Sequence, residues 1–342
     1  MGQAAKVRND MPGKTTMVLG GGIGGVVAAN RLRGRLGKEH RVVLVDRQDK
    51  HYFAPSFPWV MAGWRKAGSP VRALSRLEKK GIEFVQGSVN GIDLEARKVH
   101  IDTAVLDWDY LVVALGTEME PDAVPGMAET AHGYYTLDGA VKLHEALETF
   151  HGGRIAVGIA GIPYRCPAAP YEGALLIDHL IRKRGLRDRV EISFFTPEPA
   201  PLPVAGPEIG EGVKDVLRKR EIATGFGANL ASVDAERREL LFEDGSRQGF
   251  DMLVTIPRHR VSAVVSESGL AGETGWIEAD RATLATEAPG VYALGDAVFI
   301  KLASGLPLPK AGVFASGQAE VIARNIASRI QGVDANARFD GH

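Results

Sequence analysis

The sequence has one cysteine, Cys166, in 342 residues, which excludes an internal disulfide and agrees with a reducing compartment. It has no excess of either charge. The 41 Lys and Arg against 42 Asp and Glu leave a net charge of -1, with no basic field to attract nucleic acid, and that class of partner is excluded. No uninterrupted apolar run reaches the length that a membrane-spanning helix needs. Met1 to Thr16 is polar and lacks both an apolar signal region and a twin arginine. No solenoid-type period recurs. His51 and His259 stand at no metal-ligand spacing from other His, Cys or carboxylates, so no metal is assigned. These absences point to a cytoplasmic chain, either soluble or peripheral on the inner face of the cytoplasmic membrane.

What is present is ordinary for an enzyme: 45% apolar and 24% charged residues. The length exceeds what one hydrophobic core organises, which predicts two domains. Glycine is abundant at 41 residues, without a collagen-like or low-complexity run, so tight turns and close approaches of backbone to a ligand are expected.

Thr16-Met17-Val18-Leu19 reads as a buried strand entering Gly20-Gly21-Gly22-Ile23-Gly24-Gly25. Val26, Val27, Ala29 and Leu32 then recur at helical spacing. Arg41 to Val45 is a second buried strand, ended by Asp46. This is G-x-G-x-x-G at Gly20, Gly22 and Gly25 inside a strand-helix-strand unit, with an acid about 20 residues beyond. Gly20 permits the turn, Gly22 lets backbone approach a pyrophosphate, and Gly25 lets helix and strand pack. The helix N-terminus faces the phosphate charge, and Asp46 would accept from a ribose hydroxyl.

Asp109 to Thr117 is a strand ending in the small-residue turn Ala114-Leu115-Gly116-Thr117, and Thr286 to Asp296 ends in Gly295-Asp296. Together with the glycine turn these segments resemble two-dinucleotide-domain flavoproteins, in which the aspartate binds the ribityl chain of FAD. The resemblance selects FAD over NAD. No cysteine lies between Asp46 and Trp64, so attachment of FAD through a cysteine is excluded and the cofactor is expected to be non-covalent.

A second nucleotide strand, Arg154 to Gly161, leads not into another glycine fingerprint but into Ile162-Pro163-Tyr164-Arg165-Cys166-Pro167. Pro163 and Pro167 stiffen this loop and remove N–H donors that a pyrophosphate would use. A helix from about Pro170 to Lys183 follows, and the strand Val190 to Phe195 ends at Thr196-Pro197 rather than at a ribose-binding acid. No NAD is expected here. Cys166, between a strand and a helix N-terminus and beside Arg165, reads as a reactive thiolate or as a small buried residue; the rigid loop favours the first.

Pro163-Tyr164-Arg165-Cys166-Pro167 with Pro170-Tyr171-Glu172 resembles the cysteine loop of sulfide:quinone oxidoreductases and flavocytochrome c sulfide dehydrogenases. Tyr52 to Trp59 with Gly63-Trp64, Phe195 to Pro199, and Pro309 to Phe314 agree with it. The resemblance implies sulfide oxidation at a cysteine pair beside the flavin, with electrons passing through FAD to a quinone. Carried over, Cys166 bears the sulfur and Glu172 is an acid/base, while Lys310 and the helix beginning near Gly312 face the flavin pyrimidine. Read from the residues alone, Glu172 is equally a first-turn carboxylate suited to the helix dipole, and Lys310 a solvated surface lysine.

This sequence departs from the family pattern in holding one cysteine where two are used. It stops at Phe339-Asp340-Gly341-His342, where relatives continue toward a second cysteine and a membrane-contacting tail. Gly139 and Pro201-Leu202-Pro203 stand where quinone-linked relatives often carry histidines. Tyr52, Phe53, Phe57, Trp59, Trp64 and Phe314 would wall a quinone pocket or, for most of them, pack in the core.

The expected architecture is α/β with two Rossmann-like dinucleotide-binding domains, each three-layered. A discontinuous FAD domain takes residues 1–118 and, returning through Asp251 to Ile256, 249–342. The second domain, 119–248, carries the cysteine loop. The expected activity is oxidation of sulfide or a related sulfur species with a quinone as acceptor. The alternatives are an NADH:quinone reductase of the same fold, or a non-turnover sulfur carrier or redox sensor that uses Cys166 alone.

Overall fold

A computed structural model describes residues 13–341; the readings made on residues 1–12 and on His342 lie outside them. Strand β1 (Thr15–Leu19) is buried after its first residue and runs through the glycine turn into helix α1 (Ile23–Arg35). β2 (Arg41–Asp46) lies parallel to it, with Val18 opposite Leu44. β3 (Glu83–Gln86) extends the sheet beyond β2, and β4 (Tyr110–Val113) pairs on the other side of β1. Apolar residues run without alternation through the central strands because helices and loops cover both faces of a parallel sheet.

The chain leaves this sheet through β5 (Glu118–Glu120) and forms helix α2 (Leu137–Thr149). Thr136 caps α2, its hydroxyl accepting from the Gly139 N–H at 3.0 Å. Then come β6 (Gly153–Ile159), the cysteine loop, α3 (Ala169–Lys183), β7 (Val190–Thr196), α4 (Pro207–Lys219), β8 (Ala223–Phe226) and β9 (Met252–Ile256). They make a second parallel sheet in the order β8-β7-β6-β9.

One expectation is corrected here. The strand around Asp251 to Ile256 was read as the start of the returning FAD domain, but β9 pairs with β6, Val157 opposite Val254. It belongs to the second sheet. Its uniformly buried apolar run fits either sheet equally, and only strand pairing decides between them. The return is made by β10 (Arg258–Arg260), antiparallel to β5 and tied to it by ion pairs of Arg258 with Glu120 at 2.9 Å and of Arg260 with Glu118 at 3.7 Å.

β11 (Val291–Ala293) then pairs with β4 and completes the first sheet in the order β11-β4-β1-β2-β3. Helix α5 (Gly312–Ile330) packs on α1 and closes the same core. Residues from both ends of the chain therefore build one sheet, and its carboxyl edge faces the cysteine loop of the other unit.

Helix α3, which begins just after that loop, is anchored at its far end. Asp178 is fully buried and accepts from Arg182 Nε and Arg187 Nε, each at 3.0 Å, and from Arg220 Nη1 at 3.4 Å. A buried carboxylate with three guanidinium partners is satisfied, whereas its removal strands chiefly Arg187, which is 14% exposed while Arg182 and Arg220 keep water, so the loss is at most the about 3–5 kcal/mol of a fully buried pair. Asp178→Ala is expected to lower the unfolding free energy by up to that amount, read as a lower denaturant midpoint at unchanged slope; a midpoint within error of the parent would show that the cluster contributes nothing.

Candidate active site

A cavity of about 500 Å³ opens at the carboxyl edge of the first sheet. The turn at Gly20 and Gly22, and Asp46 at the end of β2, form one part of its wall. Ala114, Gly116 and Thr117 after β4, and Gly295 with Asp296 after β11, form the next. Cys166, Glu172 and Lys310 close the far side. These residues converge although the chain separates them widely. Gly25 does not reach the cavity. It is buried beneath, where a Cβ would lie 1.8 Å from the Gly20 carbonyl oxygen, so it sets the contact between α1 and β1.

The turn itself is over-determined. Gly20 has φ +106 and lies against the Ala114 carbonyl, a conformation open to glycine. The Asp46 carboxylate accepts from the Gly21 N–H at 2.5 Å and the Gln48 N–H at 2.7 Å, and His51 Nδ1 hydrogen-bonds with the Gly21 carbonyl at 2.8 Å. Asp46 thus shapes the turn as well as facing the cavity. His51 holds the turn, and no metal-binding cluster occurs among the described residues.

The walls fit a dinucleotide. Helix α1 has no side-chain cap and no acid in its first turn, and a Cβ at Gly22 would meet nothing within 4 Å. Free N–H groups and open space are what a pyrophosphate requires. Two buried hydroxyls on the wall, Thr117 Oγ1 and Ser262 Oγ, have no partner within the protein, and buried polar atoms are rarely left so. Arg47 and Gln48, with Gly87, Ser88 and Val89 after β3, line the Asp46 end. Sequence reasoning missed them because short polar loops carry no periodic signal.

At the other end Lys310 is enclosed. Its Nζ donates to the Asp296 carbonyl at 2.7 Å and stands 3.4 Å from the centre of the Trp276 ring. Burial pushes its pKa down to about 8 against the opposing pull of Asp296. The solvated-surface reading of Lys310 is therefore wrong, and Trp276 is a neighbour that no sequence spacing announced. Burial also raises the Asp296 carboxyl, with Arg165 and Lys310 opposing. α5 begins at Gly312 with no side-chain cap, so a second helix N-terminus meets the cavity.

Cys166 brings a further correction. The sequence favours a thiolate there, yet the structure raises the thiol pKa, burial being the largest cause. The N–H of Ala169 opposes this, Glu172 and Asp296 reinforce it, and Arg165 has the smallest effect, lowering it. Arg165 spends its Nη2 on the Tyr135 carbonyl at 2.5 Å. The side chain counts as exposed although protein crowds it, because its open face is the cavity itself, and a ligand there would bury it further. Glu172, exposed in the first turn of α3, shares the cavity with Cys166.

At the carboxyl ends of β6 and β7, where a second nucleotide would sit, an acid is engaged by the protein itself. No ribose-binding acid was expected after β7, but Glu198 stands two residues beyond it. Its Oε2 accepts from Tyr164 at 2.9 Å and Tyr171 at 3.2 Å. Burial raises its carboxyl. The acid is present and consumed by the cysteine loop.

His259, also unassigned from sequence, is 1% exposed, with burial pushing its pKa down to about 4. Its ring lies edge-on to Tyr135 at 5.8 Å. Of the aromatic segment Phe57 is core, and Tyr52 packs half-buried against the same cluster. Phe53, Trp59 and Trp64 are 44%, 39% and 52% exposed, contrary to the core reading, and Arg65 covers the Trp59 ring at 4.2 Å.

Residues 14–318 match the pyridine nucleotide-disulphide oxidoreductase family. The mitochondrial sulfide:quinone oxidoreductase of Mus musculus is 24% identical over 95% of this chain and 73% of its own length. The type II NADH:quinone oxidoreductase of Staphylococcus saprophyticus is 25% identical over 94% of this chain and 84% of its own. The crystal structure of sulfide:quinone oxidoreductase from Aquifex aeolicus superposes with a TM-score of 0.84 at 24% identity, covering 93% of this chain and 77% of that one. No helix among the described residues is long and apolar enough to cross a membrane.

Two measurements test the site. Gly25→Ala, whose Cβ has no room beside the Gly20 carbonyl, is expected to lose bound dinucleotide, read as the ratio of cofactor to protein absorbance; unchanged occupancy would refute the role given to this packing. A raised thiol pKa keeps Cys166 protonated at neutral pH, so its alkylation by iodoacetamide should accelerate with pH through a midpoint above about 8.5. A midpoint near 7 would reverse the sign assigned here.

Proposed function

The chain belongs to the pyridine nucleotide-disulphide oxidoreductase family, and we propose that within it the protein oxidises sulfide at Cys166 and passes the electrons through non-covalent FAD to a quinone. The observation that carries this reading is the sharing of one cavity by the thiol and the dinucleotide cradle, while the acid after β7, Glu198, is taken by the hydroxyls of two tyrosines. An acid already bonded within the protein is not free for a ribose, which weighs against the NADH:quinone reductase alternative.

The FAD domain takes residues up to about 118 and those after 256. Gly20, Gly22, Asp46, Ala114, Gly116, Thr117, Gly295, Asp296 and Lys310 would hold the cofactor, with Gly25 supporting the turn from beneath. When bound, FAD supplies a two-electron relay between a sulfur donor and a quinone. Oxidation at Cys166 forms one S–S bond between the thiol sulfur and sulfide and releases two electrons, which a quinone takes up with two protons. Glu172, which lines the same cavity, would accept the proton that the thiol or sulfide must lose. Lys310, mostly protonated at neutral pH, sets a positive charge at the cavity wall beside Asp296, which suits negative charge arriving there. The quinone acceptor, being lipid-soluble, accords with a peripheral position on the inner face of the cytoplasmic membrane, and the exposed Phe53, Trp59 and Trp64 offer an aromatic contact surface.

Anaerobic addition of sulfide to the FAD-loaded protein should bleach the absorbance near 450 nm, and a short-chain quinone should restore it; Cys166→Ser should abolish the bleaching. Absence of bleaching, or rapid bleaching by NADH, would overturn the reading. A Cys166 persulfide formed without sustained quinone reduction would identify a sulfur carrier instead.

A further inference from the structure

Cys166 has φ +55, the left-handed region that a non-glycine residue seldom occupies. Such a conformation persists only where its surroundings hold it. Three groups hold this one. The Lys310 carbonyl accepts the Cys166 N–H at 2.6 Å, and the Ala169 N–H donates to the Cys166 carbonyl at 3.0 Å. Both are main-chain contacts that any residue at those positions would make. The third is a side chain. The Tyr135 hydroxyl shares its proton between the carbonyls of Arg165 at 2.9 Å and Cys166 at 3.2 Å.

Tyr135 is itself fixed. It is 7% exposed, and its ring packs edge-on against Tyr134 at 5.6 Å and His259 at 5.8 Å. The Arg165 guanidinium lies 5.5 Å from the ring centre and donates to the Tyr135 carbonyl. His259 contributes from the other side, its N–H donating to the Pro163 carbonyl at 2.8 Å. Burial pushes the Tyr135 phenol far above its ordinary range, so the hydroxyl stays a donor at every working pH. One tyrosine thus grips both peptide carbonyls at the loop tip through its hydroxyl, while its main-chain carbonyl holds Arg165 Nη2.

We propose that Tyr135 is a positioning residue for the Cys166 thiol, holding it at the cavity wall through the Arg165 and Cys166 carbonyls. This rests on the reactive role proposed for Cys166, but not on the identity of its substrate or electron acceptor. Without the hydroxyl the strained cysteine relaxes, the loop tip loosens, and the thiol loses part of the burial that raises its pKa.

Cys166 is the only thiol, so alkylation with iodoacetamide followed by intact-mass measurement reads this residue alone. Tyr135→Phe keeps the ring, its packing and FAD content, and removes only the donor. In the FAD-loaded protein it should be alkylated about fivefold faster at pH 7.5, with the pH midpoint moved down toward that of a free thiol. Sulfide-driven kcat should fall roughly tenfold while KM stays within about twofold, as expected of misplacement rather than lost binding. An alkylation rate and midpoint equal to the parent's would overturn the proposal whatever happens to turnover. A shift in Tyr135→Ala that Tyr135→Phe restores would overturn it too, assigning the effect to the ring. If Tyr135→Ala does not fold, the phenylalanine variant decides alone. Should the parent fail to oxidise sulfide while Tyr135→Phe still shifts the alkylation profile, the functional reading falls and the positioning role stands.

Discussion

Lys310 joins the two halves of this molecule. Its main-chain carbonyl takes the N–H of Cys166, from the second unit, and its ammonium is bonded to the carbonyl of Asp296, from the returning segment of the first. Both bonds are short, and Trp276 shields the cation between them. Through these two bonds one residue ties the loop carrying the thiol to the turn facing the cavity. Burial explains why the residue is a lysine with a depressed pKa rather than a freely solvated one.

The second unit keeps the layout of a nucleotide-binding fold around a different loop. Its four parallel strands and helix α3 preserve the framework that elsewhere cradles a dinucleotide. The loop after β6 has become a rigid platform, and the acid beyond β7 holds that platform through Tyr164 and Tyr171. At the other end of α3, Asp178 secures the helix among three arginines. The loop is therefore mounted on an element braced at both ends, which suits a site where small displacements matter.

Electrostatics around Cys166 turn on competition rather than on any single neighbour. A helix N-terminus and an adjacent arginine are the features that usually favour a thiolate. Here Arg165 is turned toward Tyr135, two carboxylates lie close by, and crowding by protein dominates. A raised pKa keeps the thiol protonated at neutral pH. Glu172 and Asp296 line the same cavity.

The glycine turn, its following helix and Asp46 were legible in the sequence because a strand-turn-helix contact is local: spacing alone dictates which glycine must lack a Cβ. The cysteine loop was legible for a similar reason, its prolines and its place after β6 being contiguous in the chain. The contacts that decide the chemistry are not local. Trp276 over Lys310, Glu198 against two tyrosines, and Tyr135 on the Cys166 carbonyl are each made across the fold, and no periodicity encodes them. The sheet to which β9 belongs was equally hidden, since a buried parallel strand reads the same in either sheet. Sequence determined which chemical groups the protein owns and the local turns that present them. Tertiary structure decided how deeply each group is buried and which charge it faces, because burial and proximity are properties of packing.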